Sequence, residues 1–280
     1  MQYVPTAPSL LDRDRLDRAG CRRAESYRTI LNGWFMYDPH HWPPAHCIDP
    51  LVISFHLTKR IAGLNKTGVS PLGHLLQGQN LEWFREISAR RRIGTRDLAT
   101  LEAFQEVGID AEFSGCLTLT LDLPRTNIVE RILAITASQE VANKLREMTK
   151  APVDMLRPVM PKNRITRLPI RTASKLRAAT GLLQRYSSAY AVVTDRLHVA
   201  MPCLAGGTPV LFVHPNLDDP RFGGLIDHVQ AITPADFLAG RFDFNFENPP
   251  PNAVSWRPIA SRLRTRCEEF VRESEDHRLR

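Results

Sequence analysis

The chain has 280 residues, enough for two modest domains, with an ordinary globular composition and a net charge of +7 from 37 Lys and Arg against 30 Asp and Glu. No apolar run approaches the ~18 residues of a membrane span, and MQYVPTAPSLLDRDRLDRAG lacks the basic start and apolar segment of a signal peptide, so the sequence reads as cytoplasmic. The bases are mostly arginines without interleaved aromatics, which argues against nucleic acid and for anionic small molecules or an anionic membrane surface.

Residues 1–25 show no clear period and read as a loosely packed lead-in. Ile30 and Leu31 read as the end of a strand, with NGWF as a turn after it, and PLVISFHLT (Pro50 to Thr58) as a second, buried strand ending at His56. Between them, His40, His41 and His46 lie in a Pro-rich loop with no HExxH or carboxylate spacing, so no metal site is expected. Cys21, Cys47, Cys116, Cys203 and Cys267 are scattered, with no CxxC pair, and read as buried thiols.

Helices are expected over Ser70–Gln77 and Asn80–Ala89, then a short strand and turn in RRRIGTRD. Asp97 opens a helix whose Leu98, Leu101, Phe104 and Val107 recur at helical spacing before Gly108 stops it. AEFSGCLTLTL (Ala111 to Leu121) reads as strand, turn and strand, and the polar segment Asp122–Asn127 as a link between domains of residues 1–125 and 126–280. In the second half, strands at Arg131–Thr136, Val153–Met160, Tyr190–Thr194 and Pro209–Val213 alternate with helices at Ser138–Thr149, Ser174–Ser187 and Arg196–Ala205. Regular alternation means a parallel sheet covered on both faces. The expected fold is α/β: two Rossmann-like parallel-sheet domains facing a ligand cleft, with an amphipathic helix over about 256–273 crossing back to the first domain.

Two strand-to-helix junctions carry chemistry. In VVTDRLH, Thr194 or Asp195 can cap the helix, Arg196 can grip a phosphate or carboxylate, and His198 can offer a proton near neutral pH. In GTRDLATLE, Arg96 and Asp97 repeat the arrangement. If both halves present these ends to one cleft, Arg96 and Arg196 make a pocket for a doubly anionic small molecule, with His198 beside it. Asn32 with Trp34, and His56 at its strand end, are candidates for an acceptor side, and Arg221 in PRFGGL for a phosphate contact; Ser114 and Cys116 suit a close-packed turn.

The segments ILNGWFMYDPHHWPP, LVISFH, IGTRDLATLE, AEFSGCLTLTL, VVTDRLHVAMPCLAGGTPVLFV and RFGGLI together resemble the polysaccharide pyruvyl transferase family, over about Ile30 to Ile226. The resemblance implies a two-domain fold of the GT-B type and transfer of the pyruvyl group of phosphoenolpyruvate to two hydroxyls of a sugar. The product is a cyclic ketal on a cell-surface polysaccharide or its lipid-linked precursor, and phosphate is released. It places the family's arginine and histidine on Arg196 and His198, and its turn arginine on Arg96. Phosphoenolpyruvate is then the donor substrate, no cofactor or metal is required, and peripheral contact with the cytoplasmic face of the membrane is expected. Two alternatives stand: a nucleotide-sugar glycosyltransferase, with Asp227 or Asp236 on base and ribose, and a non-catalytic anion- or glycan-binding module.

Overall fold

The computed structural model describes residues 27–33, 42–57, 71–136, 138–157 and 172–276. The lead-in, Trp34, His40, His41 and the last part of the strand expected to reach Met160 lie outside the described residues. The chain divides into two compact units, one of Met1–Leu117 with Ser261–Arg280, the other of Thr118–Ala260.

The first unit contains β1 (Tyr27–Gly33), β2 (Ile48–Phe55), α1 (Pro71–Leu75), α2 (Gly78–Arg90), β3 (Ile93–Thr95), α3 (Leu98–Glu106) and β4 (Ala111–Phe113). Its strands form a four-stranded parallel sheet in the order β1-β2-β3-β4. β2 is buried continuously from Leu51 to Phe55, as a strand covered on both faces must be. Phe84 from α2 and Phe104 from α3 close over Phe55, with Phe84 5.7 Å from Phe55 and 5.0 Å from Phe104 between ring centroids.

The second strand expected in AEFSGCLTLTL is instead a 3₁₀ turn over Leu117–Thr120. The N–H groups of Ser114 and Gly115 both donate to the Thr95 carbonyl, and Gly115 takes φ 76°, so the chain leaves the sheet edge before LTLT can pair. Alternating Leu and Thr satisfies the period of a strand without supplying a neighbour.

The second unit contains β5 (Val129–Ile135), α4 (Gln139–Met148), β6 (Val153–Met155), α5 (Thr172–Ser188), β7 (Ala189–Thr194), α6 (Leu197–Gly206), β8 (Val210–Val213), β9 (Gln230–Ile232) and α7 (Pro234–Leu238). All of its strand pairs are parallel, in the order β6-β5-β7-β8-β9. This is a doubly wound order whose direction reverses between β5 and β7. The sequence reading lacks β9 and α7, since QAI is short and at most half-buried and gives no apolar run.

The link expected at Asp122–Asn127 packs within the second unit, where the Arg125 guanidinium donates to the carbonyls of Ala189, Tyr190 and Gly207. The division accordingly lies at Leu117/Thr118, ahead of that segment. The terminal helix α8 (Arg257–Asp276) belongs to the first unit from Ser261 onward. Arg266 on α8 pairs with Glu112 of β4. The Arg28 guanidinium of β1 lies 4.1 Å from the centroid of the Phe270 ring and bonds Glu273 at 2.7 Å. The helix thus crosses back onto the first domain, as its amphipathic pattern suggests.

Candidate active site

In the first unit the site begins with a distortion. Between Leu31 and Gly33 the pairing of β1 with β2 slips, and Ser54 adopts φ 51°, a left-handed conformation that is uncommon for a residue with a Cβ. Side chains hold it there: the Ser54 N–H donates to Ser114 Oγ at 3.1 Å, and Ser54 Oγ donates to the Gly115 carbonyl at 2.7 Å. Ser114 Oγ in turn donates to the Thr95 carbonyl at 2.9 Å. Ser114 therefore ties β2 to β3, the concrete form of the close-packed turn expected of SGC. Cys116 beside it is buried and not in a disulfide.

Past the kink, His56 and Asp97 meet. Phe55 of β2 pairs with Thr95 of β3, so the residues following these strand ends become neighbours, and His56 Nδ1 lies 2.7 Å from Asp97 Oδ2. Asp97 is fully buried and caps α3, its Oδ1 accepting from the Thr100 N–H at 3.0 Å and the Thr100 hydroxyl at 2.7 Å. Arg96 is also buried; its N–H donates to the Phe55 carbonyl at 2.7 Å, and Nη2 stands 3.4 Å from Asp97 Oδ2. The sequence reading treats His56 and the Arg96-Asp97 turn separately, and the structure makes them one cluster. Asn32 is exposed on β1 itself, where the sequence reading expects a turn.

In the second unit the chemistry gathers at the carboxyl ends of β5 and β7, the strands between which the winding reverses. A doubly wound sheet offers its ligand crevice at that point. Thr136, after β5, donates to Asp195 Oδ2 at 3.2 Å, and Asp195 Oδ1 lies 3.7 Å from Arg196 Nε. Thr194 Oγ1 accepts from the Arg196 N–H at 3.1 Å and donates to the Ile135 carbonyl at 2.9 Å. Arg196 is the N-cap residue of α6, and its own side chain makes no capping hydrogen bond. The Thr194 hydroxyl is bound to Arg196 and Ile135, and the Asp195 carboxylate meets Thr136 and Arg196. Arg196 is half-exposed, and His198, in the first turn of α6, is exposed.

The adjacent strand β8 leads into a loop carrying His214 and Arg221. The His214 ring stacks on Phe212 and meets the edge of Phe222 at 4.8 Å. Asp219 accepts from Arg221 Nε at 2.9 Å and Nη2 at 2.6 Å, and these bonds hold its carboxyl below the usual range. Arg221 is half-exposed.

The two acids suited to a nucleotide sugar sit elsewhere. Asp236 is bound to Thr233 at the start of α7 and to Arg241. Asp227 lines a hollow with His228, Asp243 and Asn252, beside Val210 and Gln230 at the amino ends of β8 and β9. Among the described residues, no three His, Cys, Asp or Glu side chains are grouped to hold a metal ion, and no helix is long and apolar enough to cross a membrane. Cys47 is disulfide-bonded, against the expectation of buried thiols throughout.

The sequence model of the polysaccharide pyruvyl transferase family matches residues 3–215, which spans β1 to β8 and both junctions. The chain belongs to the polysaccharide pyruvyl transferase family. No curated protein matches it. As a pyruvyl transferase it is a transferase of polysaccharide biosynthesis with a saccharide acceptor. Arg96, His56, Arg196 and His198 all fall inside the matched span, and Arg221 falls outside it.

Proposed function

We propose that this pyruvyl transferase moves the pyruvyl group of phosphoenolpyruvate onto two hydroxyls of a sugar, forming a cyclic ketal on a cell-surface polysaccharide or its lipid-linked precursor. The observation that carries the reading is the junction of β7 and α6: a helix start at the reversal of a doubly wound sheet, with Arg196 and His198 on it. A helix amino terminus and an arginine suit a donor that carries both a carboxylate and a phosphate.

In this scheme His198 delivers a proton to the methylene carbon of phosphoenolpyruvate, and the adjacent carbon gains oxocarbenium character. A sugar hydroxyl forms the first bond to that carbon and gives its proton to His198, which thus acts first as acid and then as base. The bond from carbon to the phosphate oxygen then breaks, and a second hydroxyl closes the ring, its proton leaving with the phosphate. Arg196, beside Asp195, neutralises the departing phosphate, and Arg221 supplies a further phosphate contact.

The test is release of inorganic phosphate from phosphoenolpyruvate by wild type and His198→Ala, with and without a pool of oligosaccharide acceptors. We expect acceptor-dependent release, reduced about 10²- to 10⁴-fold in the variant, the span usual for one general acid. Full turnover by His198→Ala would remove that residue from the chemistry. Tight binding of phosphoenolpyruvate without release under any condition would favour a non-catalytic module.

A further inference from the structure

The carboxyl edge of the second sheet carries a histidine, His214, that the scheme above does not use. The crossovers β5-α4-β6 and β7-α6-β8 run outward in opposite directions from the β5/β7 reversal, so right-handed connections put α4 and α6 on opposite faces of the sheet. Leu211 and Val213 of β8 pack in one core with Val141 and Leu145 of α4. Strand alternation then turns Phe212 to the face of α6, in register with Thr194, the last residue of β7. His214 continues that side: its N–H still donates to the Ile232 carbonyl of β9 at 3.1 Å, and its ring lies within 6° of parallel to Phe212. It therefore stands on the same face and at the same edge as the start of α6, with Arg196 and His198, one strand over.

The ring is fixed on every side but one. Phe212 and Phe222 hold it at 5.7 Å and 4.8 Å between centroids, and Nδ1 faces the Asn216 N–H at 3.1 Å and the Asn216 carbonyl at 2.8 Å. Nδ1 accepts from the N–H in a neutral ring or donates to the carbonyl in an imidazolium, and in both states Nε2 carries a proton. An anion at Nε2 selects these states over the neutral Nδ1–H tautomer. Among the described residues none bonds Nε2. We infer that His214 is a phosphate-binding residue of the donor site, its Nε2–H donating to an oxygen of the donor's phosphate beside Arg196. The inference rests on the pyruvyl-transfer reading above and deepens it. No proton changes hands at His214, so the balance of that scheme is unchanged. Arg221 and His214 border the same Phe222 ring, at 5.7 Å and 4.8 Å, and with Arg196 they supply three donor groups; a phosphate has three terminal oxygens to receive them, a carboxylate only two. Asp219 in the same loop is paired with Arg221 at 2.6 Å, so it does not meet the anion as a bare carboxylate.

Two substitutions separate this role from packing. His214→Phe keeps a flat ring for Phe212 and Phe222 and removes the donor, whereas His214→Gln gives up the ring and keeps an amide N–H near the position of Nε2. In ¹H–¹⁵N spectra of the full chain, inorganic phosphate should move the His214 Nε2 signal, identified by its absence from His214→Phe, and pyruvate should leave it in place. The dissociation constant for inorganic phosphate and the KM for phosphoenolpyruvate should rise about 10- to 100-fold in His214→Phe, the span of one hydrogen bond to a charged group, and less in His214→Gln. At saturating donor, kcat of His214→Phe should stay within about threefold of wild type, unlike that of His198→Ala. The inference is overturned by an Nε2 signal that does not respond to phosphate, by unchanged phosphate affinity in His214→Phe, or by a greater loss in His214→Gln than in His214→Phe, which is the order that packing alone predicts. Failure of the underlying reading looks different: inorganic phosphate then still moves the Nε2 signal, but wild type releases none from phosphoenolpyruvate with any acceptor.

Discussion

Adding one methyl group at Gly94 tests how tightly the base of the first-unit site is built. Gly94 lies in β3, and a Cβ there would stand 2.8 Å from Ser114 Oγ and 2.9 Å from both Ser114 Cβ and Ile53 Cγ1. Neither neighbour is the loose end of a long side chain: Ile53 is fully buried, and Ser114 Oγ is hydrogen-bonded to Ser54 and Thr95. Overpacking of this kind costs about 1–3 kcal/mol. If Ser114 moves, the buried Ser54 N–H loses its acceptor, at about 1–3 kcal/mol more, while the Thr95 carbonyl keeps the N–H groups of Ser114 and Gly115. Reduced freedom of the unfolded chain returns about 0.4–1 kcal/mol. Gly94→Ala should therefore destabilise by about 2–4 kcal/mol, a large part of the ~5–15 kcal/mol typical of a domain. Gly181 in α5 is the control, since a Cβ there meets nothing within 4 Å; Gly181→Ala should stabilise by about 0.4–1 kcal/mol. Urea unfolding followed by tryptophan fluorescence reads the first unit through Trp42 and Trp83, whose rings lie 5.2 Å apart beside Phe84. With a slope of about 2 kcal/mol per molar, the Gly94→Ala midpoint should drop by roughly 1–2 M. An unchanged or raised midpoint would refute the packing account and with it the fixed placement of Ser54 and His56.

Two further outcomes follow from perturbed groups in the second unit. Because Arg221 holds the Asp219 carboxyl below its ordinary value, their pairing stabilises fully above about pH 4 and is lost as pH falls through the depressed value; Arg221→Gln should make acid unfolding less steep, and an unchanged acid profile would show that the pair contributes nothing. Burial pushes the Cys203 thiol far up, so brief alkylation of the native chain followed by mass spectrometry should leave Cys203 unlabelled and mark the half-buried Cys267 slowly, whose thiol burial also raises; rapid labelling of Cys203 would contradict its burial.

Both strand-to-helix junctions are legible in the sequence because an apolar run, a polar turn and a helical period follow one another without a break at Thr95–Leu98 and at Thr194–Leu197. The partnership of His56 with Asp97 is not, because it depends on β2 lying beside β3, a choice made by tertiary packing. Once that adjacency is known, register alone brings the two residues together. Ser54 was illegible for another reason: serine has no preference for φ 51°, and the hydrogen bonds that impose it come from SGC, 60 and 61 positions away. LTLTL misleads in the opposite sense, since its period is that of a strand while the turn at Gly115 removes the edge it needs.

The two arginines that sequence logic treats as equivalent are physically different. Arg96 is 7% exposed, its backbone bound to Phe55 and its guanidinium beside the Asp97 carboxylate, so its rotamer is settled before any ligand arrives. Arg196 has a side chain 49% exposed and a contact of 3.7 Å to Asp195, too long for a strong charge-assisted hydrogen bond. An ordered arginine adds binding energy without further loss of side-chain freedom, whereas a mobile one gives up about 0.5–1.5 kcal/mol when it is immobilised. A preformed grip suits a group that must be held in one orientation throughout the reaction. A loose one suits a group that has to depart, as phosphate does. Arg96 therefore needs no reordering to meet an anionic group, whereas Arg196 has to be ordered by the ligand it binds.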